Sequence, residues 1–297
     1  MIEENLPQIE LKQIEEKKEP PPPFPASQLS TGPLSVVSKQ SASSAQPLQK
    51  QLQKMSVQPS NLFKQEMLDK LIDTFNKPIV KKPNHLDKNG QSKMAKFIKQ
   101  HGWKWPLLQL NSLAKSKAQW AVFEGVNRNG WGFLQSGVYY GEKLDGKRHG
   151  YGIVYSTDGL FRNPHLFECQ WNMDFPTYGR LIIIQDQNWE KYEGTMNRFF
   201  NLNGQCSRHD ENGYKYEGGW SNGCKDGQGK EIQSDGISGY EGSWWNNQRH
   251  GKGRETFPDG GYREGEWESG TSLGEHKYYN KQGELLKSVY FEREVIF

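Results

Sequence analysis

Three stretches of the chain lie over one another almost residue for residue: YEGGWSNGCKDGQGKEIQSDG from Tyr216, YEGSWWNNQRHGKGRETFPDG from Tyr240 and REGEWESGTSLGEHKYYNKQG from Arg263. Eleven residues after each start comes Gly227, Gly251 or Gly274, and twenty after it Gly236, Gly260 or Gly283. Weaker copies run upstream: YYGEKLDGKRHGYGIVYSTDG from Tyr139, FECQW from Phe167, YEGTMNRFFNLNG from Tyr192 and a shortened FEGVNRNGWG from Phe123. The starts are spaced 16, 28, 25, 24, 24 and 23 residues apart, so the array becomes regular toward its C-terminal end. Self-similarity at such a period marks stacked supersecondary units, each too small to bury a face alone.

Within one unit the residue types predict a β-hairpin. The YEGxW stretch is a short strand whose aromatic residues fall on one face, while the glycine between them lets another backbone approach. Asn222-Gly223 or Asn246-Asn247 suits the reversal, and Asp-Gly or Asn-Gly leads into the next unit. Seven such hairpins, with strands ~4.8 Å apart, make a mainly β, elongated antiparallel meander roughly 65 Å long. Tyr139, Tyr192, Tyr216, Trp220, Tyr240, Trp244 and Trp267 then form aromatic rows that are either core or the lining of a groove for a peptide. LLKSVYFEREVIF, from Leu285, reads as a closing strand and tail over residues 286–297, with Phe297 a candidate contact.

The pattern Y-E-G-x-W, then G-x-G, then D-G resembles the MORN repeat (membrane occupation and recognition nexus) over about residues 120–285. The copies from Tyr139, Tyr216 and Tyr240 carry the resemblance best, those from Tyr192 and Arg263 in part, and those from Phe123 and Phe167 poorly. It implies an elongated β-scaffold, often in cytoskeletal, ciliary or membrane-apposed assemblies, with lipid binding proposed for some members and no chemistry of its own.

The residues themselves point the same way on chemistry. There is no GxxxxGK[ST], GxGxxG or HExxH, and the two GxSxG matches, Gly219–Gly223 and Gly270–Gly274, fall inside repeat hairpins and not between a strand and a helix, so the glycines do not form a phosphate loop or nucleophile elbow. His149 and His250 share a repeat position, but no third copy extends them into a metal ladder, and a turn or rim role is the simpler reading. Cys169, Cys206 and Cys224 lack CxxC spacing and read as small packing residues. No catalytic residue, metal or cofactor is expected.

The first 119 residues are different in kind. They hold 12 of the 15 prolines, 3 of the 32 glycines and no tyrosine or arginine. Residues 1–59, with Pro20–Pro23 and a Ser/Gln/Ala tract, read as a disordered arm. Residues 60–119 carry the basic excess and read as a helical segment. In 61–76, Leu62, Phe63, Met67, Leu68, Leu71, Ile72 and Phe75 share one helical face, which docks either on the chain's own array, on a partner protein or on a membrane surface. A second helix is predicted from Ser92 to Gln100. The apolar patch around Trp103 and Trp105 is expected to seal an open end of the sheet.

These features predict a non-enzymatic scaffold that binds other proteins in a cytoplasmic setting, cytoskeletal or ciliary (axonemal). Lys81, Lys82, Lys93, Lys96 and Lys99 are candidates to meet acidic protein surfaces or anionic lipid, the second being the alternative function, with an enzyme-presenting regulatory subunit third. Nucleic acid is not expected, because the basic segment has no arginine interleaved with aromatics. A homodimer is compatible with the array. The acidic opening MIEENLPQIE argues against a secretory signal, and the longest aliphatic run, Leu181–Ile184, is too short for a transmembrane segment.

Overall fold

The structure, a computed structural model, describes residues 62–76, 86, 90–128, 130 and 132–293. The arm of residues 1–59, Lys81, Lys82 and Phe297 lie outside the described residues. The sheet opens with β1 (Gln119–Phe123), β4 (Gly137–Leu144), β5 (Lys147–Thr157), β6 (Pro164–Asn172), β7 (Phe175–Gln185), β8 (Asn188–Met196) and β9 (Leu202–Asp210), of which β4 to β7 carry runs of consecutive buried residues and not an alternation. The regular copies supply β10 (Lys215–Ser221), β11 (Cys224–Ile232), β12 (Gly239–Trp245), β13 (Gln248–Thr256), β14 (Tyr262–Glu268) and β15 (Thr271–Tyr279), and β16 (Leu285–Phe291) follows. These strands form one 14-stranded antiparallel sheet, each pairing with its neighbour in sequence.

The copy from Phe123 departs from the predicted seventh hairpin. Phe123 closes β1, which pairs directly with β4, while β2 (Val126–Asn127) and β3 (Phe133–Leu134) form a separate two-stranded sheet. Its 16-residue spacing leaves too little chain for two full strands.

The linking turns use the Asp of the repeat as an acceptor more than as a φ > 0 residue. Asp158 Oδ1 accepts the N–H groups of Leu160, Phe161 and Arg162 at 2.6–3.0 Å, and Oδ2 accepts that of Asn163 at 3.1 Å. Asp235 accepts from Ile237 and Ser238 in the same way. Asp158→Ala strands these donors and is expected to lower stability by about 1–2 kcal/mol, measured by urea denaturation, whereas Asp158→Asn keeps one acceptor and costs less.

Three helices cover one face of the sheet: α1 (Gln65–Asn76), α2 (Lys93–His101) and α3 (Leu107–Leu113). Ser92 caps α2, its Oγ accepting from Ala95 N, and Gly102 ends it at φ 71°. Leu62, Phe63, Leu68, Leu71 and Phe75 pack with Phe97 and Ile98 against Tyr140, Ile153, Tyr155, Leu166, Ile182 and Ile184 on this outer face. Burying side chains of this size stabilises by about 1.5–3 kcal/mol each. Trp103 and Trp105, expected at an end of the sheet, also lie on its outer face, where their rings meet Phe75 and Tyr151. The reason is that the face from β4 to β8 carries Tyr, Ile and Leu where the later strands carry Glu, Lys and Arg, so it demands an apolar cover that the edge does not.

Two buried carboxylates fix that cover. Glu142 accepts the backbone N–H of Lys115 and Ser116 through Oε1 at 2.6–2.7 Å and that of Tyr151 through Oε2 at 2.8 Å. Glu168 accepts from Lys104 N at 2.7 Å and pairs with Arg180, whose Nη2 donates to the Gly102 carbonyl at 2.8 Å. Burial pushes the Glu168 carboxyl above its ordinary range, against the pull of Arg180.

Candidate interaction surfaces

On the inner face, cross-strand register lines up Tyr192, Arg208, Tyr216, Glu231, Tyr240, Glu255, Arg263 and Tyr278 in one row. Beside it the rings interlock edge to face: Trp220 on Tyr216, Tyr216 on Trp244, Trp244 on Tyr240 and Tyr240 on Trp267, with centroids 5.0–5.4 Å apart. Tyr139, Tyr216, Trp220, Tyr240, Trp244 and Trp267 are all buried, and Tyr192 is half-buried. These rings are core, not the lining of a peptide groove.

Tyr139, Tyr216 and Tyr240 lie flat across the strands because glycines lie beneath them. A Cβ on Gly229 would come within 2.2 Å of Tyr216 Oη, and one on Gly253 within 2.3 Å of Tyr240 Oη. The hydroxyl donates to the carbonyl three residues on: Tyr216 to Gly219 at 3.1 Å, Tyr240 to Ser243 at 3.2 Å. In the last unit Arg263 replaces the tyrosine, and His276 from β15 takes its place. The imidazole fills the space over Gly265, and its Nε2 lies 2.8 Å from the Glu266 carbonyl, the acceptor a tyrosine at position 263 would use. His276 is fully buried, and burial lowers its pKa, so the ring is neutral and donates from Nε2.

A second repeated position escaped the sequence reading. The residue nine after the opening tyrosine is Arg148, Lys225 or Arg249, and its cation sits over the ring: Lys225 Nζ is 4.7 Å from the Tyr216 centroid, and the Arg249 guanidinium carbon is 4.8 Å from that of Tyr240. Aligning the copies by column would have exposed it. Lys225 pairs with Glu231 at 2.6 Å, Arg249 with Glu255 at 2.6 Å and Arg263 with Glu255 at 2.6 Å, so the rim of the inner face is a chain of alternating charge.

The outer face changes character halfway along. The Glu of Y-E-G, buried as Glu168 under the helices and bound to Lys104 as Glu193, becomes exposed as Glu217 and Glu241 and half-buried as Glu264. There it faces Lys230, Arg254 and Lys277 across the strands. Leu62, Phe63, Leu71 and Phe75 are buried by the chain's own sheet and Met67 is half-buried, which corrects their reading as partner contacts: a partner reaches them only by displacing α1. Lys93 donates to Glu211 at 3.0 Å, while Lys96 and Lys99 are exposed on α2. Lys96 and Lys99 line a cavity of about 450 Å³ with Ile72 and Asn76 of α1, Ile98 and Trp103, and Lys93 lies outside it.

At the C-terminal edge, β16 has β15 as its one neighbour among the described residues. Leu285, Leu286 and Tyr290 are 57%, 64% and 73% exposed there. A sequence model of the MORN repeat matches residues 139–161, 216–238 and 240–262. The chain carries MORN repeats. The matched copies are those with an opening Tyr over paired glycines, and the unmatched ones from Phe167, Tyr192 and Arg263 occupy the same sheet with altered chemistry at those positions. No curated protein matches the chain. MORN repeats are commonly protein- or membrane-binding modules. No helix among the described residues is long and apolar enough to cross a membrane, and no group of His, Cys, Asp or Glu among them could hold a metal ion.

Proposed function

We propose that the chain is a non-enzymatic scaffold whose MORN array binds other proteins through its C-terminal edge, in a cytoplasmic assembly of cytoskeletal or ciliary type. The observation that carries this reading is β16. Among the described residues it presents an unpaired row of backbone N–H and C=O groups, with exposed Leu285 and Tyr290 on one face and exposed Leu286 at a break in its register with β15. Native edge strands are ordinarily blunted by proline, bulges or several charges; Leu285–Phe291 has no proline, a single charge at Lys287 and one break in register at Leu286. An extended segment of a partner adds to such an edge by main-chain hydrogen bonds, with apolar side chains setting specificity. The membrane alternative has less support, because the apolar face of α1 is occupied by the sheet.

Proximity labelling in cells tests the reading. Leu286→Lys with Tyr290→Lys, both at exposed positions, is expected to leave the fold intact and remove the principal neighbours, since edge anchors of this size contribute about 2 kcal/mol or more to binding. A set of neighbours unchanged by this variant, or one made up of soluble metabolic enzymes without structural proteins, would reject it.

A further inference from the structure

On the inner face a cavity of about 330 Å³ opens between the strands from β7 to β11, bounded by the turn that carries Arg128. Its apolar wall is Leu181, Ile183, Leu202 and Trp220, and its cations are Arg128, Arg208 and Lys225. Two of the three have carboxylate partners: Arg208 with Glu190 at 2.9 Å and Lys225 with Glu231 at 2.6 Å. Arg128 has no ion pair among the described residues and donates from Nη2 to the Phe200 carbonyl at 3.2 Å. The Nε–H groups of both Arg128 and Arg208 are buried without an acceptor.

An unpaired guanidinium withdrawn from water costs several kcal/mol in general, and buried donors without acceptors add to that. The cost is removed by one negative charge delivered to the cavity. A cation without a paired carboxylate, with Asp158 acting on it only from a distance, matches a monoanion, and a guanidinium donates best to a planar carboxylate. The apolar wall then asks for a hydrocarbon body attached to that carboxylate.

We infer that this cavity binds a small apolar monocarboxylate, its charge met by Arg128 and its body by the wall of Leu181, Ile183, Leu202 and Trp220. Nothing in the scaffold reading requires such a site, and the two stand or fall separately.

Calorimetric titration of the full chain with hexanoate, hexan-1-ol and acetate tests the inference. Hexanoate is expected to bind, with the neutral alcohol and the short acid each much weaker. Arg128→Met, which keeps the apolar stem, should weaken hexanoate roughly ten- to hundredfold, the range set by a hydrogen bond to a charged group. Ile183→Phe, which fills the cavity and leaves the charge, should also abolish binding, so the result does not rest on Arg128→Met folding. The inference is overturned if hexanoate gives no heat, if hexan-1-ol or acetate binds as tightly, or if either folded variant, checked by circular dichroism, binds hexanoate like the parent.

Discussion

Gly253→Val is expected to lower the stability of the array by about 3 kcal/mol, at the upper end of what overpacking a core costs. The added Cβ would lie 2.3 Å from Tyr240 Oη, 2.4 Å from Cζ and 2.6 Å from Cε2. The ring cannot move aside. It is buried, held between Trp244 at 5.2 Å and Trp267 at 5.0 Å, and its hydroxyl is bound to the Ser243 carbonyl. Gly227 provides the contrast: its φ of +93° strains any side chain, yet nothing lies within 4 Å of a Cβ there. Gly227→Ala is therefore expected to cost only about 1 kcal/mol, from the backbone alone. Urea denaturation followed by far-ultraviolet circular dichroism measures both.

A double mutant separates steric conflict from a general intolerance of the strand. Tyr240→Ala on its own opens a cavity and should cost about 3–5 kcal/mol. Combined with Gly253→Val, the valine enters the space the ring has left. The pair is then expected to be less destabilising than the sum of its members by about 1 kcal/mol or more, which is the coupling of residues in contact. Strict additivity would mean that the glycine is required for something other than the tyrosine above it.

The same Tyr-over-Gly arrangement explains how much of this molecule its sequence discloses. Tyrosine, glycine and tryptophan recur at fixed offsets because each is needed by the others, so the hairpin, the strand order and the buried aromatic row could be read from spacing. The helix near residues 65–76 was equally legible, since its apolar period is local. What it covers was not legible, because that depends on Tyr140, Ile153, Leu166 and Ile182 in four different strands presenting one apolar surface. His276 was hidden for a similar reason. It substitutes for a tyrosine of the preceding strand, thirteen positions earlier, and only the register of β14 with β15 brings it over Gly265. Arg128 belongs to the copy whose short β2–β3 pair stays out of the main sheet, so no repeat position announces it. Departures from the repeat, at Phe123, Arg263 and the cavity of Arg128, are where sequence reasoning loses its footing.

Acidification is expected to remove about 3 kcal/mol of stability through His165 alone. This residue is the second of β6, is buried, and stacks on Phe167 with its Nδ1 2.9 Å from the Asn163 carbonyl. Burial first, and then the nearby Arg128 charge, lower its pKa from 6.5 to about 4, opposed by the Asn163 carbonyl and by Asp158. The unfolded chain therefore takes up a proton at a pH where the folded chain does not. The contribution of the neutral ring is complete above about pH 6.5, falls as pH drops from there toward 4, and changes no further below. His165→Asn keeps a donor for Asn163 and cannot titrate. The stability difference between parent and variant, measured at pH 7 and pH 4, should shift by that amount in the variant's favour, while carboxylates common to both proteins cancel. Because Arg128 is the second cause, Arg128→Met should raise the His165 pKa, and hexanoate seated on Arg128 should raise it in the parent. A His165 resonance whose titration is insensitive to both would show that burial alone sets the shift and that the Arg128 charge does not reach the ring.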